Sequence, residues 1–239
     1  AYTVPFNAYA TRRVVPADRL VAIPEGVSEA DAASLMIKGL TAHYLIHSTY
    51  PVTPESVVLV QAGAGGVGLL LGQWLKAKGV AAIATAGGPE KVALARAAGY
   101  AHVIDYRSED FVARVKEITG GAGCHVVYDS VGKDTWKGSL ACLRPRGMFV
   151  TFGQSSGMIE GFGLGDLSAG GSLFATRPTL FNHLATREEL EWRASEMFAL
   201  VAAGKLKANV MQEFPLEAVA AAHRALEGRA TTGATVLLP

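Results

Sequence analysis

Between two patterned segments near residue 60 stands the run Ala62-Gly63-Ala64-Gly65-Gly66-Val67-Gly68. Gly63, Gly65 and Gly68 keep the spacing G-x-G-x-x-G. A β-branched run, Val57–Gln61, comes directly before it. Val67–Lys78 follows, with Leu70, Leu71, Trp74 and Leu75 at helical spacing. In such a strand–turn–helix the first glycine makes the tight turn and the second lets the backbone approach a pyrophosphate. The third lets helix and strand pack closely. The helix start offers N–H groups and a partial positive charge to phosphates. On its own the spacing is weak evidence; its flanks make it a dinucleotide-binding turn in an α/β domain.

The rest of the chain supports that domain. Ala81–Thr85, His102–Asp105, His125–Asp129 and Met148–Phe152 read as strands. Pro89–Ala98, Glu109–Ile118 and Thr135–Leu143 read as the helices between them. Strands alternating with helices of about ten residues form βαβ units on a parallel sheet, and right-handed crossovers place helices on both of its faces. A Gly/Ser-rich loop, Gly153–Gly165, leads to a further strand at Ser172–Thr176. Thr186 caps a helix running to Ala203, with Glu189 completing a capping box. Leu216–Leu226 reads as another helix and Ala234–Leu238 as a closing strand. The first 50 residues break the alternation: Ala8–Val15 and Leu20–Ile23 read as short strands or extended segments, Ser28–Ala33 begins a helical stretch, and Ile37–Tyr50 is a long helix.

Composition narrows the function. Half of the 239 residues are hydrophobic and 18% are charged, enough for a packed core. A net charge of +1 provides no field for nucleic acid or an acidic membrane surface. No uncharged apolar run reaches membrane-spanning length and no signal peptide is read, so a cytoplasmic protein is expected. The two cysteines, Cys124 and Cys142, are expected as free thiols. None of the six histidines is read as part of a metal-ligand pair, so no zinc site is expected.

The end of the second strand separates NAD from NADP. A carboxylate there would bind a ribose 2′-hydroxyl and repel a 2′-phosphate. The sequence is Ala84-Thr85-Ala86-Gly87-Gly88, without an acid, and Lys91 follows in the next helix. The expected cofactor is therefore NADPH.

The segments QAGAGGVG, YDSVG (Tyr128–Gly132), FGQSSG (Phe152–Gly157) and the terminal GRATTGATVLLP resemble the zinc-independent quinone oxidoreductases of the medium-chain dehydrogenase/reductase superfamily, which include zeta-crystallin. KGLTAHYL (Lys38–Leu45) is similar to the helix that leads into their cofactor domain. The resemblance implies a Rossmann doubly wound sheet with the remnant of an N-terminal barrel-like domain. The implied divisions are 1–36 for the remnant, 37–176 for the NADPH-binding domain, and 177–239 for the C-terminal helices and closing strand. Thr41 then matches a residue near the nicotinamide, and Gly66 and Val67 the pyrophosphate turn. Thr85, Gly87, Lys91 and Tyr106 match the pocket of the adenosine ribose and its 2′-phosphate. Ser130 matches the cofactor groove, and Phe152, Gly153 and Ser155 the turn beneath the nicotinamide ribose. Arg229 matches an arginine closing over the cofactor. The implied reaction passes hydride or single electrons from NADPH to a quinone, with the proton donor unassigned. An enone or alkenal double-bond reductase, or a non-catalytic NADPH-binding protein, are the alternatives. The implied partner is a second copy of the chain, paired through the strand near Ser172–Thr176.

Overall fold

The computed structural model describes residues 1, 8–228 and 233–239, and they divide into two compact units. Residues 45–64 and 71–179 form one unit; residues 1–44, 65–70 and 180–239 form the other.

The first unit is built on six parallel strands: β1 (Val58–Val60), β2 (Ile83–Ala86), β3 (His102–Asp105), β4 (Cys124–Asp129), β5 (Leu143–Thr151) and β6 (Phe174–Thr176). Their spatial order, β3-β2-β1-β4-β5-β6, is that of a doubly wound dinucleotide-binding sheet. The order reverses between β1 and β4, so a crevice opens beyond their carboxyl ends. Register lines up Leu59 with Ile83 and Val127, and Val127 with Phe149. These four buried side chains form one apolar row across the sheet. α4 (Phe111–Ile118) and α5 (Trp136–Ala141) cover that row with Val115, Trp136 and Leu140. Asp110 caps α4 through the backbone N–H groups of Val112 and Ala113. Cys124 and Cys142 are free and buried in the same core, where burial pushes both thiols up to about 12.

The second unit holds α1 (Glu29–Tyr44), α7 (Arg187–Ala202), α8 (Val219–Glu227) and a two-stranded parallel sheet of β7 (Val210–Pro215) with β8 (Ala234–Leu238). Thr186 and Glu189 form the expected capping box on α7. Gly39 gives α7 its close approach, since a Cβ there would strike Met197. Arg187 and Arg19 hold the irregular segment around η-turn 17–19 through backbone carbonyls: Arg187 bonds Asp18 and Leu20, and Arg19 bonds Leu184.

The sequence reading differs at three places. Ala8–Val15 and Leu20–Ile23 form no strand; within them Val21 exchanges backbone hydrogen bonds with Ala1, an isolated contact that no ladder extends among the described residues. The two helical stretches of the N-terminal part are a single helix, α1, followed by a π-turn at Leu45–Thr49. β8 does not join the six-stranded sheet but pairs with β7, a strand absent from the sequence reading. α2 (Gly66–Ala77), α3 (Pro89–Ala97) and α6 (Leu164–Ala169) complete the element order. Among the described residues, no helix is long and apolar enough to cross a membrane.

Candidate cofactor-binding site

The glycine-rich turn begins with backbone strain. Ala62, at φ 56°, takes the left-handed conformation that L side chains avoid. Two hydrogen bonds hold it: Ala62 N–H donates to Thr85 Oγ1 at 3.2 Å, and Gly63 N–H to the Thr85 carbonyl at 2.8 Å. Gly63 cannot be anything larger, since a Cβ would stand 2.5 Å from that of Ala84. Thr85 donates in turn to Gln61 Oε1 at 2.6 Å, Gln61 Nε2 to Ser139 at 3.1 Å, and Ser139 to Asp129 Oδ2 at 2.7 Å. Asp129 also accepts from Thr135 and from the backbone N–H groups of Val131 and Gly132. Gln61, Thr85, Asp129 and Ser139 are all within 1% of fully buried. A closed polar network, satisfied at each member, thus ties the turn after β1 to the loop after β4. Thr85 sits in the pocket region read from the sequence, but its hydroxyl faces this network rather than solvent.

At the adenosine end, Gly87 and Gly88 follow β2, both buried, and Gly88 adopts φ +90°. A Cβ on Gly87 would collide with the Tyr106 hydroxyl, and one on Gly88 would stand 3.2 Å from the Arg107 guanidinium. Asp105 Oδ1 accepts from Gly88 N–H at 2.9 Å and Arg107 N–H at 3.1 Å, bracing the two strand ends. Those N–H donors hold its carboxyl below the usual range. Lys91 lies exposed in the first turn of α3, and Tyr106 is exposed beyond β3. Two predicted residues, Gly87 and Tyr106, are therefore brought together. Arg107 adds a cation that the sequence reading missed, although its place beside Tyr106 offered the signal.

Beyond β4 and β5, Ser130, Phe152, Gly153 and Ser155 also come together. The Phe152 and Ser155 N–H groups donate to Asp129 and Ser130 carbonyls. A Cβ on Gly153 would meet the Ser130 carbonyl oxygen at 2.5 Å. Beside this turn lies a cleft of about 380 Å³, lined by Phe149, Met158, Ile159, Phe162, Gln154 and Arg177 among others. Arg177 is fixed at its rim by Thr151 carbonyl and Gln154 Oε1.

Gly65, Gly66, Val67 and Thr41 belong to the other unit. Leu69 N–H donates to the Gly65 carbonyl at 2.8 Å, so α2 starts on the turn itself. Thr41 is buried on α1. Arg229 lies outside the described residues.

His43 and His47 are four residues apart, a ligand spacing that departs from the expectation of unpaired histidines. Both ring nitrogens of His43 are engaged. Arg193 donates to Nδ1 at 3.1 Å, which leaves Nε2 to carry the proton and donate to Glu196 at 2.8 Å. His43 is thus buried in the α1–α7 packing, bonded to Arg193 and Glu196.

The tyrosines divide clearly. Tyr128 is buried, donates to the Leu45 carbonyl at 2.9 Å, and is held far from ionisation by burial. Tyr100 is likewise buried and raised.

Comparison with known proteins agrees with this geometry. Residues 66–199 match the family model described as zinc-binding dehydrogenase. A quinone oxidoreductase of Pseudomonas aeruginosa is 47% identical over 237 residues, 99% of this chain and 73% of that protein. The structure of the Escherichia coli quinone oxidoreductase complexed with NADPH superposes with a TM-score of 0.94 at 46% identity, over 97% of this chain and 72% of that one. A 2-haloacrylate reductase of Burkholderia sp is 44% identical over 98% of this chain and 72% of its own length. On this evidence the chain belongs to the quinone oxidoreductases of the medium-chain dehydrogenase/reductase superfamily.

Proposed function

We propose that the chain reduces quinones with NADPH as the electron source. The observation that carries this reading is the grouping at the ends of β2 and β3. Gly87 leaves room beside the Tyr106 hydroxyl, Arg107 stands over Gly88, and Lys91 opens α3. A hydroxyl, cations and a glycine cradle suit a 2′-phosphate. No acid terminates β2. Asp105 is turned to backbone N–H groups, which keeps its bonded oxygen occupied.

When bound, NADPH supplies the hydride. The chain's own residues position and enclose. Gly63, Gly65, Gly66 and Val67 admit the pyrophosphate, and Thr41 borders the nicotinamide. Ser130, Phe152, Gly153 and Ser155 carry the nicotinamide ribose. Thr85 acts one step back, holding the Ala62 turn in its strained form. The largely apolar cleft beside Gly153 suits a flat ring. Residues 1–36 belong to the substrate domain and 37–176 to the cofactor domain, with 177–239 completing the fold. The chain works in the cytoplasm as a homodimer, joined along edge strand β6, where Phe174 and Ala175 are exposed.

The test is NADPH oxidation by the purified chain with a soluble para-quinone, run beside NADH. Quinone-dependent loss of NADPH, with NADH much slower, is expected. NADPH binding without turnover would favour the non-catalytic reading.

The likeness to the Burkholderia 2-haloacrylate reductase favours one second reading, reduction of an activated carbon–carbon double bond. A conjugated enone replacing the quinone in the same assay separates the two.

A further inference from the structure

Lys38 lies on α1 and packs its side chain along the opening residue of α2. A Cβ built on Gly66 would stand 3.0 Å from Lys38 Cδ, 3.1 Å from Cε and 3.3 Å from Nζ. A side chain at Gly66 would press on the end of the lysine, which lies directly over the opening backbone of α2. Thr41 follows Lys38 by three residues on α1 and shares its face.

The electrostatics of this placement are unfavourable without a third group. Helix starts carry partial positive charge and favour anions. Here an ammonium, half-buried, is held against one. Burial lowers its proton affinity, and among the described residues no carboxylate or hydrogen-bond acceptor engages it. A cation desolvated beside the positive end of a helix is stabilised when an anion binds between them.

We infer that Lys38 is a binding residue for the cofactor's pyrophosphate, reaching from α1 to the phosphates seated on the Gly66 backbone. This rests on the dinucleotide reading above. Lys38 therefore acts on the part that NADPH and NADH share, whereas Lys91 and Arg107 act on the phosphate that distinguishes them. The pyrophosphate is gripped both by backbone N–H groups and by a charged side chain delivered from outside the turn.

The experiment compares wild type, Lys38→Met and Lys38→Arg by titration calorimetry with NADPH, NADH and adenosine 2′-monophosphate, which lacks the pyrophosphate. Lys38→Met is expected to raise the NADPH and NADH dissociation constants by the same factor, roughly tenfold or more for a lost charge-assisted contact. Binding of adenosine 2′-monophosphate should stay unchanged, and Lys38→Arg should recover most of the loss. The ligand-free melting temperature of Lys38→Met should not fall, because removing an unpaired cation relieves the helix start. Unchanged NADPH affinity in Lys38→Met would overturn the assignment. So would an equal loss for adenosine 2′-monophosphate, or a lowered melting temperature, since both mark a merely structural role. If wild type itself binds neither dinucleotide, it is the cofactor reading that fails, and this inference with it.

Discussion

Thr85 Oγ1 donates to Gln61 Oε1 across 2.6 Å, and both side chains are 1% exposed. The same hydroxyl oxygen accepts the Ala62 N–H. One buried threonine therefore sets the geometry of the glycine-rich turn without facing the ligand.

Replacing Thr85 by Val keeps the shape and removes the hydroxyl, leaving Gln61 Oε1 and Ala62 N–H without this partner. The expected cost is about 1–3 kcal/mol, the desolvation penalty of an unmade buried hydrogen bond. Urea unfolding measures it. NADPH and NADH should weaken together, since the turn loosens while the 2′-phosphate pocket is untouched. A changed preference between them would instead put Thr85 on the adenosine.

Gly63 and Gly65 are separable. A Cβ at position 63 would overlap Ala84 and press on Tyr100, both buried, so Gly63→Ala should destabilise the fold by about 1–3 kcal/mol. Gly65 is exposed, so Gly65→Val should fold normally and lose cofactor. Thermal unfolding beside NADPH titration checks both, and a normally stable Gly63→Ala would contradict the packing argument.

Lys91→Ala and Arg107→Ala should each weaken NADPH by roughly 10-fold or more while leaving NADH nearly unaffected. The Arg107 variant is the sharper test, because that residue was found from its position over Gly88. Equal losses for both cofactors would remove it from the 2′-phosphate.

Stability should fall on the acid side of neutrality. Burial first, then the Arg193 charge, holds the His183 pKa below its ordinary value. His125 is lowered by burial and by Arg144. Below about pH 6.5 the unfolded chain takes up protons that the folded imidazoles refuse, so stability is lost as pH falls from there through the folded values. Denaturant midpoints at pH 7.5 and 5.5 should show the drop, and His183→Gln should flatten it. An unchanged midpoint would mean that neither histidine is protected.

Phe174→Asp should leave the melting temperature near wild type, because the ring is exposed, and convert a dimer to a monomer in light scattering. A dimer that survives the change would place the interface elsewhere.

The sequence by itself determined the α/β class, the strand–turn–helix at Gly63–Gly68 and the α7 cap, because these are local. Glycine spacing, hydrophobic period and capping pairs act within a few residues. It also determined that no carboxylate ends β2. The tertiary structure decided what lies between segments distant in the chain. It paired β8 with β7, because a five-residue closing strand carries no mark of its neighbour. It turned Thr85 inward to Gln61 and Ser139, and set Arg107 over Gly88. Such relations depend on which backbones approach across the fold, and side-chain direction follows from packing that residue identity alone does not encode.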